Sequence, residues 1–122
     1  MINIVISNTS EKPIYQQLYE QISSQILKGE IKSHYSLPSI RTMAKELRIS
    51  IITVKKAWEE LEHNGFIYTM AGRGCFVAEI KSQEMAEKRD HLAKEQMLKD
   101  ISYYKELGLS KEELIHLIDQ LF

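Results

Sequence analysis

Leu37–Leu61, LPSIRTMAKELRISIITVKKAWEEL, is the stretch from which the rest of the chain can be read. Pro38 suits the opening turn of a helix, and Ser39 can cap its free N–H groups. Ile40, Met43, Ala44 and Leu47 then fall on one helical face. The pattern breaks at Arg48-Ile49. Ser50 can cap a second helix, whose inward stripe is Val54, Ala57, Trp58 and Leu61. Ile51, Ile52, Thr53, Lys55 and Lys56 lie near the start of that helix and mostly off the stripe. Two short helices around a tight turn, the second with an exposed, partly basic N-terminal end, are the layout of a DNA-reading helix-turn-helix. Plain helical hairpins share this pattern, so the flanking segments have to decide.

Upstream, Ile14, Leu18, Ile22 and Ile26 repeat at a spacing of four, with Tyr15 and Tyr19 alongside. That spacing predicts an amphipathic core helix with Pro13 just inside its start and Gly29 at its end. Before it, Ile2, Val5 and Ile6 in residues 1–7 predict a short edge strand, and Asn8-Thr9-Ser10 a turn. Residues 30–36 read as a connection, with Ile31, Tyr35 and Leu37 packed beneath it. Downstream, Asn64-Gly65 is a stop signal. Phe66–Met70 and Cys75–Ala78 are β-rich and flank Ala71-Gly72-Arg73-Gly74, which predicts a β-hairpin. Taken alone, Gly72-Arg73-Gly74 is an ordinary hairpin turn with a solvated arginine. Directly after a helix-turn-helix it reads instead as a wing. There Arg73 meets a minor groove or phosphates, and the glycines let the backbone come close.

The character changes at Ile80. Ser82 to Lys105 holds no Gly or Pro and is rich in helix formers. Ala86, Ala93, Met97, Ile101 and Tyr104 make one stripe, and Gly108 ends the helix. Ser110-Lys111-Glu112-Glu113 is a capping box for a last helix that carries Leu114, Ile115, Leu117, Ile118, Leu121 and Phe122. So much apolar surface on a short helix needs cover. Two helices are too few for a core of their own. Pairing with the same hairpin of a second chain, through Ala93, Met97, Ile101, Tyr104, Leu114, Leu117, Ile118 and Leu121, is the economical solution. The alternative is folding back onto the chain's own core.

Composition narrows the function classes. A chain of 122 residues, 43% hydrophobic, suits one domain with an appendage and leaves little room for a large catalytic cleft. No apolar run is long enough for a bilayer, and MINIVISNTSEK has no secretory pattern. The single cysteine, Cys75, excludes an internal disulfide and fits a reducing, cytoplasmic setting; it reads as a small buried residue. The net charge is −1, with nine Lys/Arg against eight Asp/Glu in residues 1–79 and seven against nine in residues 80–122. A DNA reader of this composition has to gather its cations on one face. His34, His63, His91 and His116 are scattered and predict no metal site. No phosphate-binding loop, dinucleotide fingerprint or catalytic constellation stands out, so neither an enzyme nor a cofactor is expected. Glu59, Glu60 and Glu62 read as a solvated outer face.

Taken together, PIYQQLYEQISSQILKGEIK, LPSIRTMAKELRIS and ITVKKAWEELEHNGFIYTMAGRGCFV closely resemble the winged helix-turn-helix of GntR-family bacterial transcription regulators. The specific pieces are Leu37-Pro38-Ser39-x-Arg41, Thr53-Val54-x-Lys56-Ala57, Glu60-Leu61-x-x-x-Gly65 and Gly72-Arg73-Gly74. The short tail, broken at Gly108-Leu109-Ser110, resembles the YtrA-type subfamily, which implies a dimerising helical hairpin and, by analogy, a transporter operon as target. The resemblance implies DNA contacts at Arg41, Ser50, Thr53, Lys55, Gly72 and Arg73, beside the exposed Ile51, Ile52 and Lys56. Ile51 stands where many relatives carry an arginine that reads guanine. With Ile52 it can touch thymine methyls instead, which implies less guanine dependence there. Arg48 replaces the usual turn glycine, and Ser33-His34 a common Pro-Gly.

The expected architecture is α+β and mostly helical: a winged helix-turn-helix over residues 1–79, three helices plus a hairpin wing, followed by a two-helix dimerisation hairpin over residues 80–122. The expected function is a homodimeric transcription regulator, more specifically a repressor, on a pseudo-palindromic double-stranded DNA operator, with no membrane partner. Two alternatives remain open. One is a dimer that senses an unknown small-molecule effector in a tail pocket lined by Met97, Tyr103 and Tyr104. The other is a DNA-architectural protein without regulatory function.

Overall fold

The computed structural model describes residues 2–122. The chain divides into two compact units, Met1–Lys81 and Ser82–Phe122. The first holds α1 (Ile14–Leu27), α2 (Ile40–Leu47), α3 (Ile51–His63) and the antiparallel hairpin β1 (Ile67–Met70) and β2 (Gly74–Val77). The second holds α4 (Ser82–Glu106) and α5 (Lys111–Leu121).

Helix α3 is the hub of the first unit and packs against α1, α2 and β1. Its stripe Val54, Ala57, Trp58 and Leu61 is buried against Leu18, Ile22 and Ile26 of α1 and Met43 and Ala44 of α2 in one core. Ile31, Leu37, Phe66, Ile67 and Val77 complete that core. Ile40 and Leu47 lie at its margin, half-buried. The Tyr19 ring meets Phe66 edge-on at 6.1 Å, and its hydroxyl accepts from Asn64 Nδ2 at 3.1 Å, which ties α1 to the end of α3. Pro13 stands one residue outside the first helix, at its N-cap, rather than within it.

Four helices stop in the same way. At the ends of α1, α2, α3 and α4 an N–H bonds back five residues, from Glu30 to Gln25, Ile49 to Ala44, Phe66 to Leu61 and Leu109 to Tyr104, at 2.9–3.1 Å. The residue before each donor has a positive φ. That residue is Gly29, Gly65 or Gly108 in three cases and Arg48, at φ 55° and ψ 47°, in the fourth. The turn between α2 and α3 therefore keeps its left-handed geometry although arginine replaces glycine, at a cost of about 1–2 kcal/mol.

The connection after α1 does more than link helices. His34 N–H donates to Val77 O at 2.7 Å, Val77 N–H to Tyr35 O at 3.0 Å and Leu37 N–H to Cys75 O at 2.9 Å. Residues 34–37 thus run along β2 and anchor the hairpin on the side away from β1. Cys75, expected to be buried, is half-buried in β2 opposite Thr69, whose Oγ1 lies 3.4 Å from Sγ.

The N-terminal segment is not the expected edge strand; of residues 1–7, Met1 lies outside the described residues. Residues 2–7 alternate as a strand would, with Ile2, Ile4 and Ile6 half-buried and Asn3, Val5 and Ser7 exposed. Their backbone is bonded by glutamine side chains of α1 rather than by another strand. Gln21 accepts from Val5 N–H at 2.9 Å and donates to Val5 O at 2.6 Å. Gln17 accepts from Ser7 N–H at 2.8 Å and donates to Ser7 O at 2.9 Å, and Gln25 donates to Asn3 O at 2.8 Å. Four residues of helix advance about 6.0 Å and two of extended chain about 6.6 Å, so the two repeats keep step.

In the second unit, Gly108 and the reciprocal Ser110–Glu113 capping box set the turn into α5. The hydrogen bonds from Ser110, its backbone N–H first, hold the Glu113 carboxyl below its ordinary range. Neither α4 nor α5 buries a residue.

The glutamine contacts are separable from the core. In Gln21→Met, the Val5 amide should exchange with deuterium about five- to tenfold faster while the α1 amides keep their protection. Unchanged Val5 exchange by NMR would remove the side-chain ladder from the account.

Candidate nucleic-acid interface

The burial of Val54, Ala57, Trp58 and Leu61 decides which part of α3 faces out. Ile51, Ile52, Lys55 and Lys56 are exposed and Thr53 is half-buried at its N-terminal end. Ile52 is 79% exposed and Ile51 47%. Arg41 is exposed on the first turn of α2, and Ala71, Gly72 and Arg73 are exposed at the hairpin tip. Gly72, at φ 74°, is the third residue of a turn closed by Arg73 N–H to Met70 O at 2.9 Å.

Two of these residues are already engaged. Lys56 Nζ sits 3.9 Å from the centre of the Tyr15 ring, a cation–π contact that holds its charge against α1. Lys55 Nζ lies 4.0 Å from Glu59, with both side chains 65% exposed, a pair worth little in water. Lys55 is therefore the more available cation of the two.

Helices α2 and α3 open on the same four-residue pattern, Ser39-Ile40-Arg41-Thr42 and Ser50-Ile51-Ile52-Thr53. Ser39 Oγ accepts from Thr42 N–H, and Ser50 Oγ from Thr53 N–H, each at 3.1 Å. The paired hydroxyls are also bonded, at 2.8 Å and 2.7 Å. The tail helix α5 uses the charged version of this box, with Glu113 in place of threonine. The repeated Ser-Ile-x-Thr was visible in the sequence and adds Ser39 and Thr42 to the candidate surface.

The neutral boxes carry electrostatic meaning. No acidic residue stands in the first turn of α1, α2 or α3, whereas α4 has Glu84 there and α5 has Glu112 and Glu113. Helix stability alone favours carboxylates at an N-terminus and cations at a C-terminus. Helix α3 is arranged the other way, with Lys55 and Lys56 early and Glu59, Glu60 and Glu62 late. Arg41, Lys45 and the left-handed Arg48 add three more exposed cations on α2 and the turn after it. The positive ends of α2 and α3 are thus left open to an anion, as a phosphate backbone requires.

In the tail, Ala93, Met97, Leu117, Ile118 and Leu121 are exposed, and Ile101, Tyr104 and Leu114 are half-buried. Met97 and Tyr103 are both more than half exposed, so one copy of the tail does not enclose them. No helix of the described residues is long and apolar enough to cross a membrane.

A three-helix unit with a hairpin wing and an outward, cation-flanked third helix defines a winged helix-turn-helix DNA-binding protein. Residues 14–77 match the model of the bacterial regulatory proteins of the gntR family, and the chain belongs to that family. It is 34% identical over 118 residues to the HTH-type transcriptional repressor YtrA of Bacillus subtilis, covering 97% of this chain and 91% of that one. Among solved structures it is similar to a GntR family transcriptional regulator from Listeria monocytogenes, with a TM-score of 0.70 and 30% identity over 91% of this chain and 96% of that one. It is also similar to the AraR DNA-binding domain in complex with operator ORE1, with a TM-score of 0.53 and 30% identity over 62% and 93% of the two chains. The chain is a DNA-binding transcription regulator.

The neutral box can be tested directly. Thr53→Glu completes a charged capping box, so the melting temperature should hold or rise. Affinity for duplex DNA at low salt should fall at least about tenfold, because one carboxylate now faces phosphates. Unchanged affinity by fluorescence anisotropy would show that this helix end does not meet DNA.

Proposed function

We propose that the chain is a homodimeric repressor whose two α3 helices enter major grooves of a pseudo-palindromic operator. The single observation that carries this reading is the opening of α3: a buried inward stripe, exposed residues at 51, 52 and 55, and a first turn free of carboxylates. Arg41, Thr53 and the Ser39 and Ser50 ends of α2 and α3 hold phosphates; Ile51, Ile52 and Lys55 face base edges; Gly72 and Arg73 follow the backbone or the adjacent minor groove. Lys56 supports α3 through Tyr15 and adds to the local potential. The name repressor carried by YtrA and the operator bound to the AraR domain support this assignment.

The tail supplies the two-fold. Leu121 is 84% exposed and Met97 55%, which is far more apolar surface than a helix pair leaves in water. Apposing Ala93, Met97, Ile101 and Tyr104 of α4 with Leu114, Leu117, Ile118 and Leu121 of α5 across a two-fold axis covers it.

Arg41→Ala should fold normally, since Arg41 is exposed, and should weaken operator binding while reducing the salt dependence by about one charge. A gel-shift titration with unchanged affinity and salt slope would remove Arg41 from the interface. Leu114→Glu with Leu117→Glu should give monomers by light scattering, with the first unit still folded. A dimer of unaltered mass would contradict the role of the tail.

A further inference from the structure

The proposed function leaves open what α3 recognises on the bases. The polar groups near its start are largely committed. Thr53 Oγ1 is bonded to Ser50 Oγ at 2.7 Å, and the Lys56 ammonium lies over Tyr15. No arginine stands between Ser50 and His63, so the bidentate fork that reads guanine is missing from α3. What projects beside Lys55 is Ile51 and Ile52. Ile52 is the most exposed large hydrophobic side chain among the described residues of the first unit.

Folding gives no reason for this pair. β-Branched residues are mediocre helix formers, and a first turn gains from acidic or polar side chains. Exposed cations flank the two isoleucines along the chain, with Arg41, Lys45 and Arg48 before them and Lys55 after. A duplex offers one apolar group at the major-groove edge, the C5 methyl of a pyrimidine. The stiffness of isoleucine at χ1 keeps the loss of side-chain entropy on contact small.

We infer that Ile51 and Ile52 form a contact site for C5-methylated pyrimidines in each operator half-site. The occupant is thymine in unmodified DNA, and 5-methylcytosine at the same position presents the same methyl group. The inference rests on α3 being the helix that enters the groove, and the experiment separates the two claims.

Duplexes are first selected from a random pool with the full chain. Failure to enrich any sequence overturns the function proposed above. With an enriched sequence in hand, each thymine is replaced singly by deoxyuridine, which removes only the methyl. At one or two positions per half-site, affinity should fall about fourfold, the value of one buried methyl-sized group. Cytosine placed at that position should bind more tightly methylated than unmethylated. Ile51→Ala with Ile52→Ala, and Ile52→Ala alone as the milder change, should bind the thymine and uracil duplexes equally while keeping the wild-type circular dichroism. Four results would overturn the inference: an enriched half-site without thymine, indifference to every uracil, equal binding of the two cytosine forms, or an unchanged uracil penalty in both variants.

Discussion

The structure depends on the burial of one side of α3. Val54, Ala57, Trp58 and Leu61 sit between two other helices and a strand, and none of them can turn outward without opening the core. Replacing Leu61, which has no exposure, by alanine would cost about 2–5 kcal/mol, a large part of the stability of a unit this size. Because that side is committed, the opposite side and the N-terminal end have to face solvent. Which residues α3 exposes therefore follows from the packing.

The same helix carries a conflict that the fold alone does not explain. Its carboxylates are late and its lysines early, against its own dipole. Its cap is a hydroxyl pair rather than the charged box found on α5. Arg48 holds a left-handed turn where glycine would be strain-free. Each of these gives up a little stability, and all three raise the positive potential around the Ser50 end. A polyanion bound there is the condition under which the arrangement becomes favourable.

Much of this was legible in the sequence, because strong periodicity and strong stop signals coincide. The spacing-four stripe of α1, the Ser50 cap, the Gly72-Arg73-Gly74 tip and the Ser110–Glu113 box all appear where the pattern put them. The N-terminal segment departs from the expected edge strand because alternation reveals an extended chain but not what pairs with it. Here Gln17, Gln21 and Gln25 do, and glutamine at helical spacing gives no such signal. The pairing of residues 34–37 with β2 was hidden for a similar reason, since three backbone bonds leave no trace in composition. Lys56 looked equivalent to Lys55 in the sequence; only the position of Tyr15 on α1 separates them. The apolar stripe of the tail was readable, and much of it is exposed.

The central claim is that two α3 ends meet one face of a duplex at a spacing set by the tail. Hydroxyl-radical footprinting of the whole 122-residue chain on its selected site measures this most directly. The account predicts two protected patches per strand, related by a two-fold axis and separated by about one helical turn or a multiple of it. A single continuous patch, or two patches in direct repeat, would contradict it.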